Sequence, residues 1–112
     1  MKNLVLIFGL LGISTFANAL STISANDAKA YIGKSVTVCG TLVGVKPYKN
    51  NLFLNLEKPY PNQPFYFYIK NADSSQLSKA NSKVGKKVCG TGLVEVYKGR
   101  VEMQKNSVNE LF

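Results

Sequence analysis

The sequence predicts an all-β domain: a small, glycine-bent barrel of five strands, with a short helix at its start and a helical connection between the third and fourth strands. Three observations predict it. In Pro64-Phe65-Tyr66-Phe67-Tyr68-Ile69-Lys70 the side chains alternate between an apolar row (Phe65, Phe67, Ile69) and an amphipathic row (Tyr66, Tyr68, Lys70), the signature of a half-buried strand. Its aromatic and β-branched content favours the same state, and Pro64 is tolerated at a strand's first position. Two distant stretches then open alike, Gly33-Lys34-Ser35-Val36-Thr37-Val38-Cys39-Gly40-Thr41 and Gly85-Lys86-Lys87-Val88-Cys89-Gly90-Thr91, as two strands entering one sheet from similar turns. Finally, Gly40, Gly44, Gly90 and Gly92 lie inside these strands, where glycine marks the bulges and sharp coiling that a small closed barrel requires.

The elements follow in order. Residues 1–19 read as an export leader, with Lys2 as the positive start, Leu4 to Ile13 as the apolar stretch and Ala17-Asn18-Ala19 as the small-residue cleavage site. A membrane-spanning helix needs about 20 apolar residues, and Ser14, Thr15 and Asn18 interrupt this stretch too early. The expected product is one domain, residues 20–112, periplasmic or secreted, without stable membrane insertion once the leader is removed. Ser24 to Ile32 reads as a short helix capped by Ser24 or Asn26 and ended by Gly33. Val36 to Val45 is the first strand, and Lys46 to Asn51 a polar turn. In Asn51 to Glu57 the leucines alternate inward, which directs Phe53 and Asn55 outward. A proline-rich loop, Lys58 to Gln63, precedes the aromatic strand, and Ser74 to Ala80 forms the connecting helix. Lys87 to Tyr97 and Arg100 to Lys105 make the final hairpin around Lys98-Gly99, with Val94, Val96, Val101 and Met103 inward and Tyr97, Arg100, Glu102 and Gln104 outward.

The full chain carries a formal net charge of +8; without Lys2, twelve lysines and Arg100 oppose six acids, leaving +7. Such a surplus suits polyanions and also simply keeps a small protein soluble. Cys39 and Cys89 lie in a chain expected to leave the reducing cytoplasm, so a disulfide is the natural pairing. Two thiols in a chain without histidine leave the usual four-ligand metal set unfilled.

Three strands, a helical connection and a hairpin are the plan of the five-stranded oligonucleotide/oligosaccharide-binding (OB) Greek-key barrel. Short motifs add a family resemblance. Gly-Lys-x-Val-x-Val-x-Gly at Gly33 to Gly40, Asn-Leu-Phe-Leu-Asn-Leu at Asn51 to Leu56, Tyr-Pro-Asn-Gln-x-Phe at Tyr60 to Phe65 and Val-Tyr-Lys-Gly-Arg at Val96 to Arg100 resemble the nucleic-acid-binding OB barrels of the tRNA-anticodon type. In its exported setting the chain is more similar to single-domain relatives of that fold. The resemblance implies a ligand across the second and third strands, flanked by the first and last hairpin loops. On this chain those places hold Phe53 and Asn55, then Tyr66, Tyr68 and Lys70, with Lys46, Tyr48 and Lys49 in the first loop and Tyr97, Lys98 and Arg100 around the last.

Aromatics that stack on bases, interleaved with cations that meet phosphates, are what single-strand binding needs. Outward tyrosines also serve as cross-strand pairs that stabilise ordinary sheets. The sequence therefore points to a binding module for single-stranded nucleic acid or another polyanion, with docking of an exported protein or a glycan as the competing role. No cofactor is implied. Catalysis is not expected, because there is no histidine, no recognisable nucleophile-and-base constellation and no phosphate-cradling glycine loop, and Asp27, Glu57, Asp73, Glu95, Glu102 and Glu110 are scattered.

Overall fold

The computed structural model describes residues 20–112; the expected leader and its expected cleavage site after Ala19 lie outside them. The described chain is mostly β. Its strands are β1 (Thr22–Ser24), β2 (Ser35–Tyr48), β3 (Asn51–Leu56), β4 (Phe65–Ile69), β5 (Lys87–Leu93), β6 (Glu95–Tyr97) and β7 (Arg100–Lys105). One α-helix, α1 (Ser74–Asn81), connects β4 to β5, and short 3-10 helices cover Ala25–Tyr31 and Val108–Glu110. Among the described residues no helix is long and apolar enough to cross a membrane.

The sheet is mixed, and β2 is its spine. The first half of β2 pairs in parallel with β1 (Thr22↔Thr37 to Ser24↔Cys39) and antiparallel with β5 (Ser35↔Leu93 to Thr41↔Lys87). Its second half pairs with β3 after a register shift between Leu42 and Gly44. Such a shift bends a strand and lets it serve two differently directed partners. Beyond it, β3 pairs with β4, β4 runs parallel to β7, and β7 pairs with β6.

Several local readings are adjusted. The N-terminal helix is a 3-10 turn, capped as expected by Ser24, whose hydroxyl accepts from the Asn26 N–H at 3.2 Å. The first strand runs on to Tyr48, so Lys46 and Tyr48 stand on a strand, not in a loop, and only Lys49 and Asn50 make the turn. Pro47 is accommodated because this half of β2 has a partner on one side only, so a missing N–H leaves no ladder bond unmade. The expected fourth strand breaks at Val94, whose backbone bonds to Gly33 and Lys34 instead (2.8 and 3.0 Å). That break leaves Val94 buried but turns Val96 outward, at 47 % exposed, against the expectation of an inward side chain.

The core gathers on one face of these strands. Phe65, Phe67 and Ile69 are wholly buried with Leu54, Leu56 and Met103, as the alternation in β3, β4 and β7 requires. Gly90 faces this cluster: a Cβ there would stand 2.5 Å from Phe67 Cε1 and 2.9 Å from Leu111 Cδ2. Neither neighbour can withdraw from a packed interior, so Gly90→Ala should cost about 1–3 kcal/mol of stability as overpacking. The check is a lower urea midpoint at unchanged denaturant slope.

The cysteines are paired, with Cα atoms 4.1 Å apart, as direct register partners on β2 and β5. The backbone N–H and carbonyl of Cys89 are both engaged by Phe112 (2.7 and 2.9 Å). Cys39 and Cys89 therefore face each other as a non-hydrogen-bonded pair, the position at which opposed side chains come closest.

Candidate functional site

Register assembles the site on the face opposite the core. Lys46 lies opposite Phe53, Phe53 opposite Tyr68, and Tyr68 opposite Gln104, which makes one cross-sheet row. The next row runs Asn55, Tyr66, Glu102, Glu95. Above these rows is a cleft of about 580 Å³, walled by the β6–β7 hairpin on one side and by Tyr60 and Gln63 of the β3–β4 loop on another.

Its aromatic floor is continuous. The Phe53 ring centroid is 5.2 Å from that of Tyr66, edge-on, and 5.0 Å from that of Tyr68, tilted by 45°. Such contacts fix ring orientation and leave flat surface facing the cleft. Cations gather at the rim. Tyr60 receives both Lys46 (Nζ 5.0 Å from the ring centroid) and Arg100 (Cζ 4.6 Å), and Arg100 Nη2 also donates to the Tyr60 hydroxyl at 3.0 Å. Lys98 lies over Tyr97 and Lys49 over Tyr48, each at 5.4 Å. Each cation is thus held near a ring by cation–π attraction, and Tyr60 ties the loop to the hairpin across the cleft.

Not every expected residue is an open contact. Tyr66 and Asn55 point to the expected face but are buried, at 2 % and 4 % exposed, Tyr66 with Phe53 against its ring and Glu102 on its hydroxyl. Lys70 follows the end of β4 and is exposed away from the cleft, and Lys49 reaches Tyr48 without lining it. Phe53, Tyr68, Lys46, Tyr48, Tyr97, Lys98 and Arg100 do line it, and so, though buried, does Tyr66. Sequence reasoning missed Tyr60 and Gln63 as site residues, although a tyrosine beside prolines in a loop next to the aromatic strand was an available signal. It placed Glu102 and Gln104 outward without assigning them to the site.

Glu102 is a buried carboxylate on the lining of the cleft. It is 4 % exposed; Tyr66 Oη donates to its Oε1 at 2.7 Å and Gln104 Nε2 to its Oε2 at 3.2 Å. Burial, and then the bond to Glu102 and its charge, raise the Tyr66 hydroxyl well above the ordinary tyrosine range, with Arg100 opposing. The folded state therefore holds this proton more tightly than the unfolded chain. The stability it contributes is intact below about pH 10, the unfolded value, and falls as pH rises beyond it. Absorbance titration should show Tyr66 still protonated above about pH 10, and Tyr66→Phe should remove that late step. Elsewhere on this face, Asn55 Oδ1 and Gln63 Oε1 are buried with no hydrogen-bond partner among the described residues.

No family model and no curated protein sequence matches the chain. Solved structures do. A provisionally assigned aspartyl-tRNA synthetase from Leishmania major Friedlin aligns with 89 % of this chain at 8 % identity and a TM-score of 0.53; the chain spans only 22 % of that protein. The OBody AM1L10, solved bound to hen egg-white lysozyme, aligns at 19 % identity over 74 % of this chain and 80 % of its own, with a TM-score of 0.49. A lipoprotein of Klebsiella pneumoniae, provisionally assigned as nucleic-acid-binding, gives 15 %, 77 %, 88 % and 0.43 for the same quantities. At these identities the likeness is one of fold, and only the first is close enough to argue from.

Proposed function

We propose that residues 20–112 form an exported, non-catalytic OB-type domain that holds a single strand of nucleic acid, or a comparable polyanion, across β3 and β4. The barrel reading is supported by chain continuity, since β6, the strand at the end of the pairing path, is joined through the single residue Val94 to β5, the partner of β2. Export is supported by the leader-like start and the cross-strand disulfide.

The observation that carries the ligand class is the platform of Phe53 and Tyr68 within a cleft whose rim holds Lys46, Lys98 and Arg100. Flat rings with cations at their margins meet unstacked bases and the phosphates that follow them, and only a single strand exposes its base faces. The cleft offers stacking, charge and hydrogen bonding.

The test is a titration of the oxidised domain into a labelled thymidine oligonucleotide by fluorescence anisotropy at several salt concentrations. Three rim cations meeting phosphates should give a log–log salt slope of about −2. Absence of binding at low salt, or binding indifferent to salt, would replace this reading with docking of an exported protein or glycan.

A further inference from the structure

We infer that the floor of the cleft selects guanine among the bases of the bound strand, an inference that rests on the single-strand reading above. The cleft is polarised. Its rim is cationic, whereas its interior holds acceptors: the Glu102 carboxylate on the sheet, and Gln63 Oε1 on the loop wall, which is buried without a partner among the described residues. A phosphate would be repelled from Glu102, so the backbone belongs at the rim and the bases point inward.

The hydrogen-bond inventory narrows the base. Each Glu102 oxygen already accepts one bond, from Tyr66 and from Gln104. A carboxylate has about four acceptor sites, so capacity remains for two more donors. The two existing bonds also hold the plane of the carboxylate still, which suits it to bidentate recognition. Guanine is the base that carries two neighbouring donors on one edge, N1–H and the N2 amine. Cytosine and adenine offer one amine beside an acceptor, and thymine offers one N–H between two carbonyl oxygens that the carboxylate would repel. Phe53 and Tyr68 supply the stacking surface next to that edge.

The experiment compares short thymidine strands that carry one central dG, one central hypoxanthine nucleotide, which lacks only the N2 amine, or none. A bidentate contact should make the dG strand bind the wild-type domain about tenfold tighter than the all-thymidine strand, with hypoxanthine between. Glu102→Gln should abolish that preference, so that within the variant the dG strand binds no tighter than the all-thymidine strand. Equal affinity of the three strands for the wild-type domain, with salt-sensitive binding retained, overturns guanine selection and leaves the single-strand reading standing. Failure of every strand to bind overturns both. The comparison of the three strands uses the wild-type domain alone, so it decides the matter even if Glu102→Gln does not fold.

Discussion

Replacing Phe53 and Tyr68 together by alanine should weaken binding of a thymidine oligonucleotide by at least about tenfold, because stacking contributes roughly 1–3 kcal/mol per base. The two rings lie 5.0 Å apart and support one another, so each single substitution should lose part of the effect and the two losses should not add. Neither ring belongs to the core cluster, and the fold should survive. Tyr66 is a poorer probe. Its removal would strip Glu102 of a buried donor and open a space beside Phe53, so any loss of affinity would be mixed with loss of stability. Because Lys46, Lys98 and Arg100 remain in the double variant, its salt slope should match that of the wild type. Wild-type affinity with that same slope would reduce the cleft to a generally basic surface.

Substituting both Cys39 and Cys89 by alanine should lower stability by about 4 kcal/mol in the chain-entropy picture of a crosslink. The bond closes a sequence separation of 50 residues, and its removal frees the unfolded chain more than it disturbs the folded one. A small domain has only about 5–15 kcal/mol in total, so this is a large share. Urea unfolding of the oxidised domain and the double variant measures it. A difference below about 1 kcal/mol would mean that the β2–β5 ladder alone holds the seam and the crosslink adds little.

Much of the architecture was legible because strand periodicity is a local property. The Phe65, Phe67, Ile69 row and the inward leucines of β3 could be assigned from alternation alone, and Ser74 to Ala80 from its polar helical composition. The depth of the opposite face was not legible. Alternation says that Tyr66, Asn55 and Glu102 share a side, but not that they are buried there. The cleft on that side draws in Tyr60 and Arg100, which are 40 residues apart and meet only in the folded chain. Val96 was misdirected for a similar reason, since Gly33 and Lys34 capture the backbone of Val94 and reset the strand. Lys70 was counted with the tyrosine row because it continues the period of two. The chain leaves the strand after Ile69, and Asn71 adopts a positive φ of 54°.

The same crosslink also governs how the molecule would respond to tension. Pulled at residues 20 and 112, the oxidised domain can release only the segments outside the closed loop, residues 20–39 and 89–112, or roughly 150 Å of contour at about 3.5 Å per residue. The aromatic wall of the cleft, β3 and β4, lies inside the loop and cannot be extended, whereas β6 and β7, with Tyr97, Arg100 and Glu102, lie on the part that can. Force would therefore part the cleft along the β4–β7 seam. A ligand bridging that seam would act as a mechanical clasp.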